Sequence, residues 1–238
     1  MADKDVRFSV PLYTQAETAR YLDMPATTLR SWTKGYARKP HGARPAVRGH
    51  PLVTYLPADR PSAPTVPFIG LAEGMFLSAL RKAGVPLQQI RPALKLVQQR
   101  LGIAHALASK RLYVLGAQLL WEVAEEGELT PGDRRSLIVL RDGQYVFREV
   151  VDGFLRRIDY ADDGYAARVA LPGYEVAQIT ASPAINFGYP YFEATGTPVE
   201  AVLSRLRAGE PLTEVADDFD LNLDEVSEAA DRAGLVAA

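Results

Sequence analysis

The stretch from Tyr13 to Lys34 constrains the fold of this chain more than any other part. Thr14 is a good N-cap, and Glu17, three residues later, completes a capping box that marks the start of a helix. Apolar residues then recur at a spacing of three, on one helix face: Ala16, Ala19 and Leu22. Asp23 tolerates a left-handed turn, and Pro25 suits the first position of a second helix. The pattern predicts two short helices joined by a tight turn.

The second predicted helix has two different faces. Leu29 and Trp32 point one way. The remaining positions carry hydroxyls and cations: Thr27, Thr28, Arg30, Ser31 and Lys34. This layout is that of a helix-turn-helix, whose second helix lies in the major groove of DNA. An ordinary helical hairpin with solvated polar residues is the alternative, and the spacing alone does not separate the two.

The charge of the chain is strongly divided. Residues 1–111 carry 17 Lys and Arg against 6 Asp and Glu, whereas residues 112–238 carry 10 against 23. The two parts therefore have formal charges of +11 and −13. This division indicates that the first part meets a polyanion, which favours the DNA-binding reading of the helix-turn-helix. The alternative is that two oppositely charged faces attract each other within a dimer.

The same stretch resembles the start of MerR-type DNA-binding domains. The matching residues are Tyr13-Thr14, Ala19 with Leu22, and Thr28-Leu29-Arg30 followed by Trp32. Asp23 stands where a glycine is commoner, and Ser31 where an aromatic residue or arginine is commoner. These departures bear on base preference more than on the fold.

The resemblance implies that a small wing follows the second helix. The segment from Gly35 to Pro57 is rich in Gly, Pro, Arg and Lys, which interrupt regular structure, although Leu52 to Tyr55 fit a short strand. Four cations of this wing are then expected to contact phosphates: Arg38, Lys39, Arg44 and Arg48. A flexible basic loop without a role is the alternative. His41 and His50 have no carboxylate partners nearby in the sequence, so we predict no metal site.

Two helices are predicted after a proline-rich connector at Asp59–Pro67. The first has an apolar stripe that ends at Gly84: Leu71/Ala72, Met75/Phe76 and Ala79/Leu80. The second has a seam at spacings of three and four from Leu87 to Leu101, interrupted by Pro92. The pair resembles the helices that pack on the DNA-binding head of MerR proteins. The long dimerisation helix of that family is missing, so a dimer must form through another surface.

Residues 112–181 are predicted to form a small, mostly β region. Hairpins fit Leu112–Trp121 and the segments on either side of Arg141-Asp142-Gly143. Further strands are expected at 158–160, 167–171 and 176–179. The acidic residues of this region are scattered, and no arrangement of them resembles a catalytic site.

Residues 182–238 are predicted to form three short helices. Pro198 begins the first, Gly209 ends it, and Asn222 with Glu225 caps the third. The segment resembles a family of short bacterial proteins, catalogued as a domain of unknown function and often encoded as antitoxins. The resemblance is carried by Phe187-Gly188, Gly196-Thr197-Pro198, Ala208-Gly209-Glu210 and Val215–Phe219.

The order of a MerR-like head, a middle region and this tail resembles VapB-type antitoxins, which accompany PIN-like ribonuclease toxins. The resemblance implies an antitoxin that binds and neutralises such a toxin and represses its own operon by binding operator DNA as a dimer. Four tail residues are candidates for the toxin or dimer contact: Arg205, Arg207, Phe219 and Arg232. The tail is acidic and would be repelled by duplex DNA. Solvation of its acidic residues is the alternative to a protein-facing role.

These observations predict an α+β fold. It has a winged helix-turn-helix with a helix pair at 1–111, a β-rich region at 112–181 and a three-helix bundle at 182–238. The chain has no cysteine, no apolar run near the ~20 residues that span a bilayer and no signal-peptide core in Met1–Phe8, so we expect a cytoplasmic protein without membrane contact. We predict no cofactor and no enzymatic activity. A MerR-like regulator that responds to a small ligand, without a toxin, is the alternative function.

Overall fold

The computed structural model of the chain describes residues 5–38, 47–58, 60, 62–84, 102–112, 153–154 and 156–235, except for the side chains of Arg38, Val47 and Arg48. Several predictions concern residues outside this part: Lys39, Arg44, the helix from Leu87 to Leu101 and, except for Leu112, the hairpins predicted in residues 112–147. The helices and strands are numbered below in chain order.

The chain begins with four short elements. They are α1 (Val6–Ser9), β1 (Pro11–Tyr13), α2 (Gln15–Tyr21) and α3 (Ala26–Thr33). The predicted capping box is confirmed, because the Thr14 hydroxyl accepts a hydrogen bond from the Glu17 amide and the Glu17 carboxylate accepts one from the Thr14 amide. Pro25 was predicted as the first helical residue, but its ψ of 135° is extended. It is therefore the N-cap, and α3 begins at Ala26.

A wing follows α3. Strand β2 (Tyr36–Arg38) pairs antiparallel with β3 (Val47–Gly49), with Ala37 opposite Arg48. The strand predicted at Leu52–Tyr55 is wrong. The amides of Leu52 and Val53 instead both donate to the carbonyl oxygen of Trp32, at 2.7 and 3.1 Å. This segment therefore closes the C-terminal end of α3.

The longest described helix lies behind the helix-turn-helix. Strand β4 (Val66–Pro67) pairs with β1 and leads into α4 (Phe68–Lys82). As predicted, α4 ends just before Gly84, which has a positive φ. Most of its residues are buried, so α4 supports the elements from α1 to β4, which together with α4 we call the head.

A four-stranded antiparallel sheet follows in the order β5 (Ile158–Tyr160), β6 (Ala166–Ala170), β7 (Ile179–Ala181) and β8 (Tyr191–Phe192). The first predicted strand is confirmed, and the second is shifted by one residue. The third was predicted at 176–179 and begins only at Ile179. The reason is that the amides of Glu175, Val176 and Ala177 donate to the carboxylate of Glu228 in a later helix.

The chain ends in three helices, α5 (Val199–Arg207), α6 (Leu212–Asp218) and α7 (Leu223–Arg232). The predicted capping box of Asn222 with Glu225 is confirmed. Pro198 is the N-cap of α5 instead of its first residue, as at Pro25, because its ψ of 132° is extended.

One continuous core joins the head, the sheet and the three C-terminal helices, and the α+β class is confirmed. Buried members from each part include Leu29, Phe76, Val169, Val202 and Val226. Strand β8 pairs with β7 across the boundary predicted between residues 181 and 182, and the division into three units stays a prediction. None of the described helices is long and apolar enough to cross a membrane.

Candidate nucleic-acid interface

Helix α3 has a buried side and an exposed side. Leu29 and Trp32 are almost completely buried against the rest of the head. The five predicted DNA-binding residues of this helix lie elsewhere: Thr27, Arg30 and Lys34 are exposed, and Thr28 and Ser31 are half-buried. Positions i, i+3, i+4 and i+7 share one helix face, so Thr27, Arg30, Ser31 and Lys34 form one outer surface of hydroxyls and cations. The Ser31 hydroxyl donates to the Thr28 carbonyl (2.7 Å), which holds this side chain against the helix.

Lys34 is positioned at the C-terminal end of α3. Its Nζ lies 5.2 Å from the centroid of the Tyr55 ring, a cation–π distance. The segment that carries Tyr55 is itself anchored on α3 through the amides of Leu52 and Val53. The cation is therefore held by the segment that follows the wing, at the junction of wing and helix.

The wing is tightly packed at its base. A Cβ atom added to Gly49 would lie 2.3 Å from a ring carbon of Tyr36, so only glycine fits opposite this ring. Of the four cations predicted to contact phosphates, Arg38 lies in β2 and Arg48 in β3. Lys39 and Arg44 lie outside the described residues, and the structure does not describe the side chains of Arg38 and Arg48.

A buried polar cluster supports the wing from behind. The carboxylate of Glu73, in the middle of α4, accepts the amide of Thr54 at 2.6 Å and lies 3.1 Å from Nδ1 of His105. The Thr54 hydroxyl lies 3.0 Å from the same nitrogen. The Glu73 side chain is 3% exposed, so these hydrogen bonds replace water around its carboxylate. The cluster fixes the segment that follows the wing to the central helix.

The turn of the helix-turn-helix is held from two sides. Asp23 has a left-handed backbone (φ 51°), and its carboxylate pairs with Lys82 of α4 (2.8 Å) and with Arg232 of α7 (3.3 Å). Hydrogen bonds from Lys82 and, to a smaller extent, the charge of Arg232 hold the pKa of Asp23 below its ordinary value. The Ser78 hydroxyl also donates to the carbonyl of Leu22 (3.0 Å). The C-terminal helix thus contacts the helix-turn-helix directly.

Comparisons with known proteins cover nearly the whole chain. A family model described as a putative DNA-binding HTH domain matches residues 11–94, and one described as a protein of unknown function (DUF433) matches residues 179–231. A curated protein named putative antitoxin VapB45, from Mycobacterium tuberculosis, is 46% identical over 230 residues, which are 95% of each chain.

The chain belongs to the VapB45 antitoxin family. A crystal structure of Rv2018 from Mycobacterium tuberculosis is similar as well. It has a TM-score of 0.74 and 41% sequence identity, and it covers 94% of this chain and 99% of that one. The helix-turn-helix and the site described above lie within the residues that match the model of a putative DNA-binding HTH domain.

The candidate residues of the tail do not form one site. Arg205 and Phe219 are neighbours, because the Arg205 guanidinium lies 5.4 Å from the ring centroid and also pairs with Glu210 and Asp218. Arg207 pairs with Glu200 in the same helix. Arg232 pairs with Asp23 of the head. All three arginines therefore form ion pairs within this chain.

Sequence reasoning missed the supporting residues of the site. Glu73 was counted only as an acidic residue, although a lone carboxylate within an otherwise apolar helix stripe was a signal of a buried partner. The pairing of Asp23 with Arg232 joins residues 209 positions apart, and no local pattern indicates it. Within the described part of the chain, no group of three or more His, Asp or Glu residues is placed to hold a metal ion.

Proposed function

We propose that this chain is the antitoxin of a toxin–antitoxin pair, binds its cognate toxin without chemistry, and represses its own operon through α3 and the wing. The 46% identity to a putative antitoxin over 95% of both chains carries this proposal. The outer surface of α3 adds to it, because hydroxyls and cations on the second helix of a helix-turn-helix read and hold DNA.

The proposed operator contact divides into two kinds. Arg30 lies at the centre of the outer surface of α3, where an arginine reads guanine through two hydrogen bonds in the major groove. The wing arginines Arg38 and Arg48, with Lys39 and Arg44, contact phosphates, which sets affinity and register without reading sequence. The homodimer proposed here matches a two-fold operator, because one helix-turn-helix covers only a half-site.

The proposed toxin is a PIN-like ribonuclease, as the resemblance to VapB-type antitoxins implies. A ribonuclease has a basic surface that holds RNA, and the tail offers an acidic one, with 11 Asp and Glu against three arginines in residues 193–238. Because the three tail arginines form ion pairs within this chain, the neutralising contact we propose relies on the acidic and apolar surfaces of the tail.

The operator proposal is tested by gel shift with DNA from upstream of the chain's own gene. Arg30→Ala should weaken specific binding by about 1–3 kcal/mol, because a base contact is lost. Arg207→Ala removes the same charge from an exposed site in the tail and should leave binding unchanged. Equal affinity of Arg30→Ala and the parent chain would remove Arg30 from the interface.

The antitoxin proposal is tested with the product of the neighbouring gene. The two proteins should copurify after coexpression, and the full chain should restore growth to cells that the neighbouring product alone arrests. A DNA-binding protein that neither copurifies with that product nor restores growth contradicts the proposal. Ligand-dependent operator affinity in that case favours the MerR-like regulator.

A further inference from the structure

The loop from Ile185 to Tyr189, which we call the aromatic loop, has an unusual backbone. Asn186, Phe187 and Gly188 are consecutive residues in the left-handed region, with φ of 48°, 54° and 89°. Only the last is a glycine, and a bulky residue such as phenylalanine rarely adopts this conformation. The fold therefore imposes a conformation on this loop that its own side chains disfavour.

Contacts on both sides hold the loop in place. The buried Tyr13 hydroxyl donates to the Gly188 carbonyl oxygen at 2.6 Å, and the Asn186 side chain donates to the Gly196 carbonyl oxygen at 3.0 Å. A Cβ atom on Gly188 would lie 2.6 Å from Leu12, so the loop backbone packs directly on β1. These contacts join the loop to the DNA-binding head on one side and to the tail on the other.

The result is a fixed display of apolar side chains. Phe187 is 86% exposed, and its neighbours Tyr189 and Ile185 are 50% and 40% exposed. No residue from 176 to 192 carries a charge, in a chain of which 24% of the residues are charged. A strained backbone that presents a phenylalanine to water has no benefit for the stability of the chain alone. It indicates a contact with another molecule.

The composition and size of the loop restrict that molecule. Nucleic acid binds through cations that neutralise phosphates, and the loop has none. A stable dimer contact buries about 800 Å² on each partner, whereas three partly exposed side chains supply only a few hundred Å². One rigid aromatic side chain between apolar neighbours instead matches an anchor that enters a pocket of a different protein.

We infer that the aromatic loop is the anchor by which this chain binds its toxin, with Phe187 entering an apolar pocket on the toxin surface. This inference rests on the proposed antitoxin function. Because the fold already fixes the conformation of the loop, binding does not lose conformational entropy by ordering it. Burial of the Phe187 ring therefore contributes more fully to the affinity. The acidic tail supplies the surrounding contacts.

The test uses the full chain and the purified product of the neighbouring gene, with affinity measured by titration calorimetry. In Phe187→Gly the ring is removed and the left-handed backbone becomes unstrained, so the variant should melt no lower than the parent chain. Its affinity for the neighbouring product should fall roughly 30-fold or more, as expected for an anchor residue. Val6→Ala, the truncation of an apolar side chain that is 45% exposed on α1 and lies outside the tail, should change affinity little.

Each of the other outcomes leads to a different conclusion about the aromatic loop. If Phe187→Gly binds the neighbouring product as tightly as the parent chain does, the inference is wrong and the antitoxin function stands. If the parent chain itself does not bind that product, both fall. Light scattering that shows Phe187→Gly as a monomer where the parent chain is a dimer assigns the loop to self-association and overturns the inference. An equal loss of operator affinity, measured by gel shift, assigns it to DNA and does the same.

Discussion

The described part of the chain contains two helix-turn-helix units with the same backbone plan. In both α2–α3 and α6–α7, a seven-residue helix is followed by a four-residue turn, and corresponding positions are 197 residues apart from Gln15/Leu212 onward. Asp23 and Asp220 occupy the same turn position, with φ of 51° and 53°. The next amide in each turn bonds back to the first helix, from Met24 to Ala19 and from Leu221 to Ala216.

The outer surfaces of the two units differ in charge. The five proposed DNA-binding positions of α3 correspond to these residues of α7: Asp224, Glu225, Ser227, Glu228 and Asp231. Every cation or hydroxyl is thus replaced by an acid, except that Arg30 corresponds to Ser227. The same backbone plan therefore carries opposite surface charge in the two units. An acidic second helix repels phosphates, and only the first unit carries the charge that DNA requires.

The undersides of the two units differ in size. Trp32, which is 2% exposed, corresponds to Ala229 in α7, so the first unit has the larger buried contact. Trp32→Ala should lower the free energy of unfolding by about 3–5 kcal/mol, because it leaves a cavity between α3 and the rest of the head. Urea denaturation followed by circular dichroism measures this.

Val226→Ala is the matched control in the second unit, at the position that corresponds to Leu29. It removes less buried volume and should cost clearly less than Trp32→Ala. If both variants lost the same free energy of unfolding, the larger side chain of Trp32 would not stabilise the first unit more than Val226 stabilises the second.

The parts of the fold that were predicted correctly depend on short segments. The capping boxes at Thr14–Glu17 and Asn222–Glu225 involve four consecutive residues each, and a helix that ends at Gly84 requires only its own periodicity. The spacing of Leu29 and Trp32 predicted that both are buried on one side of α3. The exposed side of this helix was then predicted to be the opposite one.

Two errors in the predicted strands arose where a distant group uses a backbone amide. The strand predicted at 176–179 was displaced because Glu228, about 50 residues later, accepts the amides of residues 175–177. The strand predicted at 52–55 failed because the Trp32 carbonyl takes two of its amides. The sequence indicated Phe187-Gly188 only as part of a family resemblance, because the left-handed backbone of the aromatic loop depends on contacts with Tyr13 and Gly196.

Exchanging residues at one corresponding position tests whether surface charge decides the partner. Arg30→Ser gives α3 the residue of α7 and should weaken operator binding by about 1–3 kcal/mol. Ser227→Arg gives α7 the residue of α3 and should create no specific binding, because Asp224 and Asp231 still repel phosphates. Gel-shift titrations over a range of salt concentrations measure both. Sequence-specific binding gained by Ser227→Arg would contradict the comparison.

Glu228 shows that the acidic unit also uses its outer side for structure. It corresponds to Ser31, yet its carboxylate accepts the amides of Glu175, Val176 and Ala177. Partial burial raises the pKa of Glu228, but these three hydrogen bonds outweigh it, and the pKa lies below the ordinary 4.5. Glu228→Gln should therefore lower the free energy of unfolding by about 1–2 kcal/mol at neutral pH.

The pH dependence of that cost separates the charge from the shape of the side chain. A depressed folded-state pKa stabilises the protein fully above the unfolded value of about 4.5, and this stabilisation is lost as the pH falls through the folded value. The difference between Glu228→Gln and the parent chain should thus shrink in urea titrations well below pH 4.5. A difference that does not change with pH would mean that the charge contributes nothing.

The smallest predicted effect compares the two turns. Asp220→Gly replaces a left-handed aspartate that is exposed and forms no ion pair among the described residues, so relief of backbone strain should raise stability by up to about 1 kcal/mol. Asp23→Gly relieves the same strain but removes the pairs with Lys82 and Arg232, each worth a few tenths of a kcal/mol at the surface. Its net effect on stability should be close to zero.

Thermal melting at low and high salt measures both variants. Because salt weakens the ion pairs, the changes in stability that the two substitutions cause should become more similar at high salt. A stabilisation of equal size at low salt would show that Lys82 and Arg232 do not hold the turn of the DNA-binding unit.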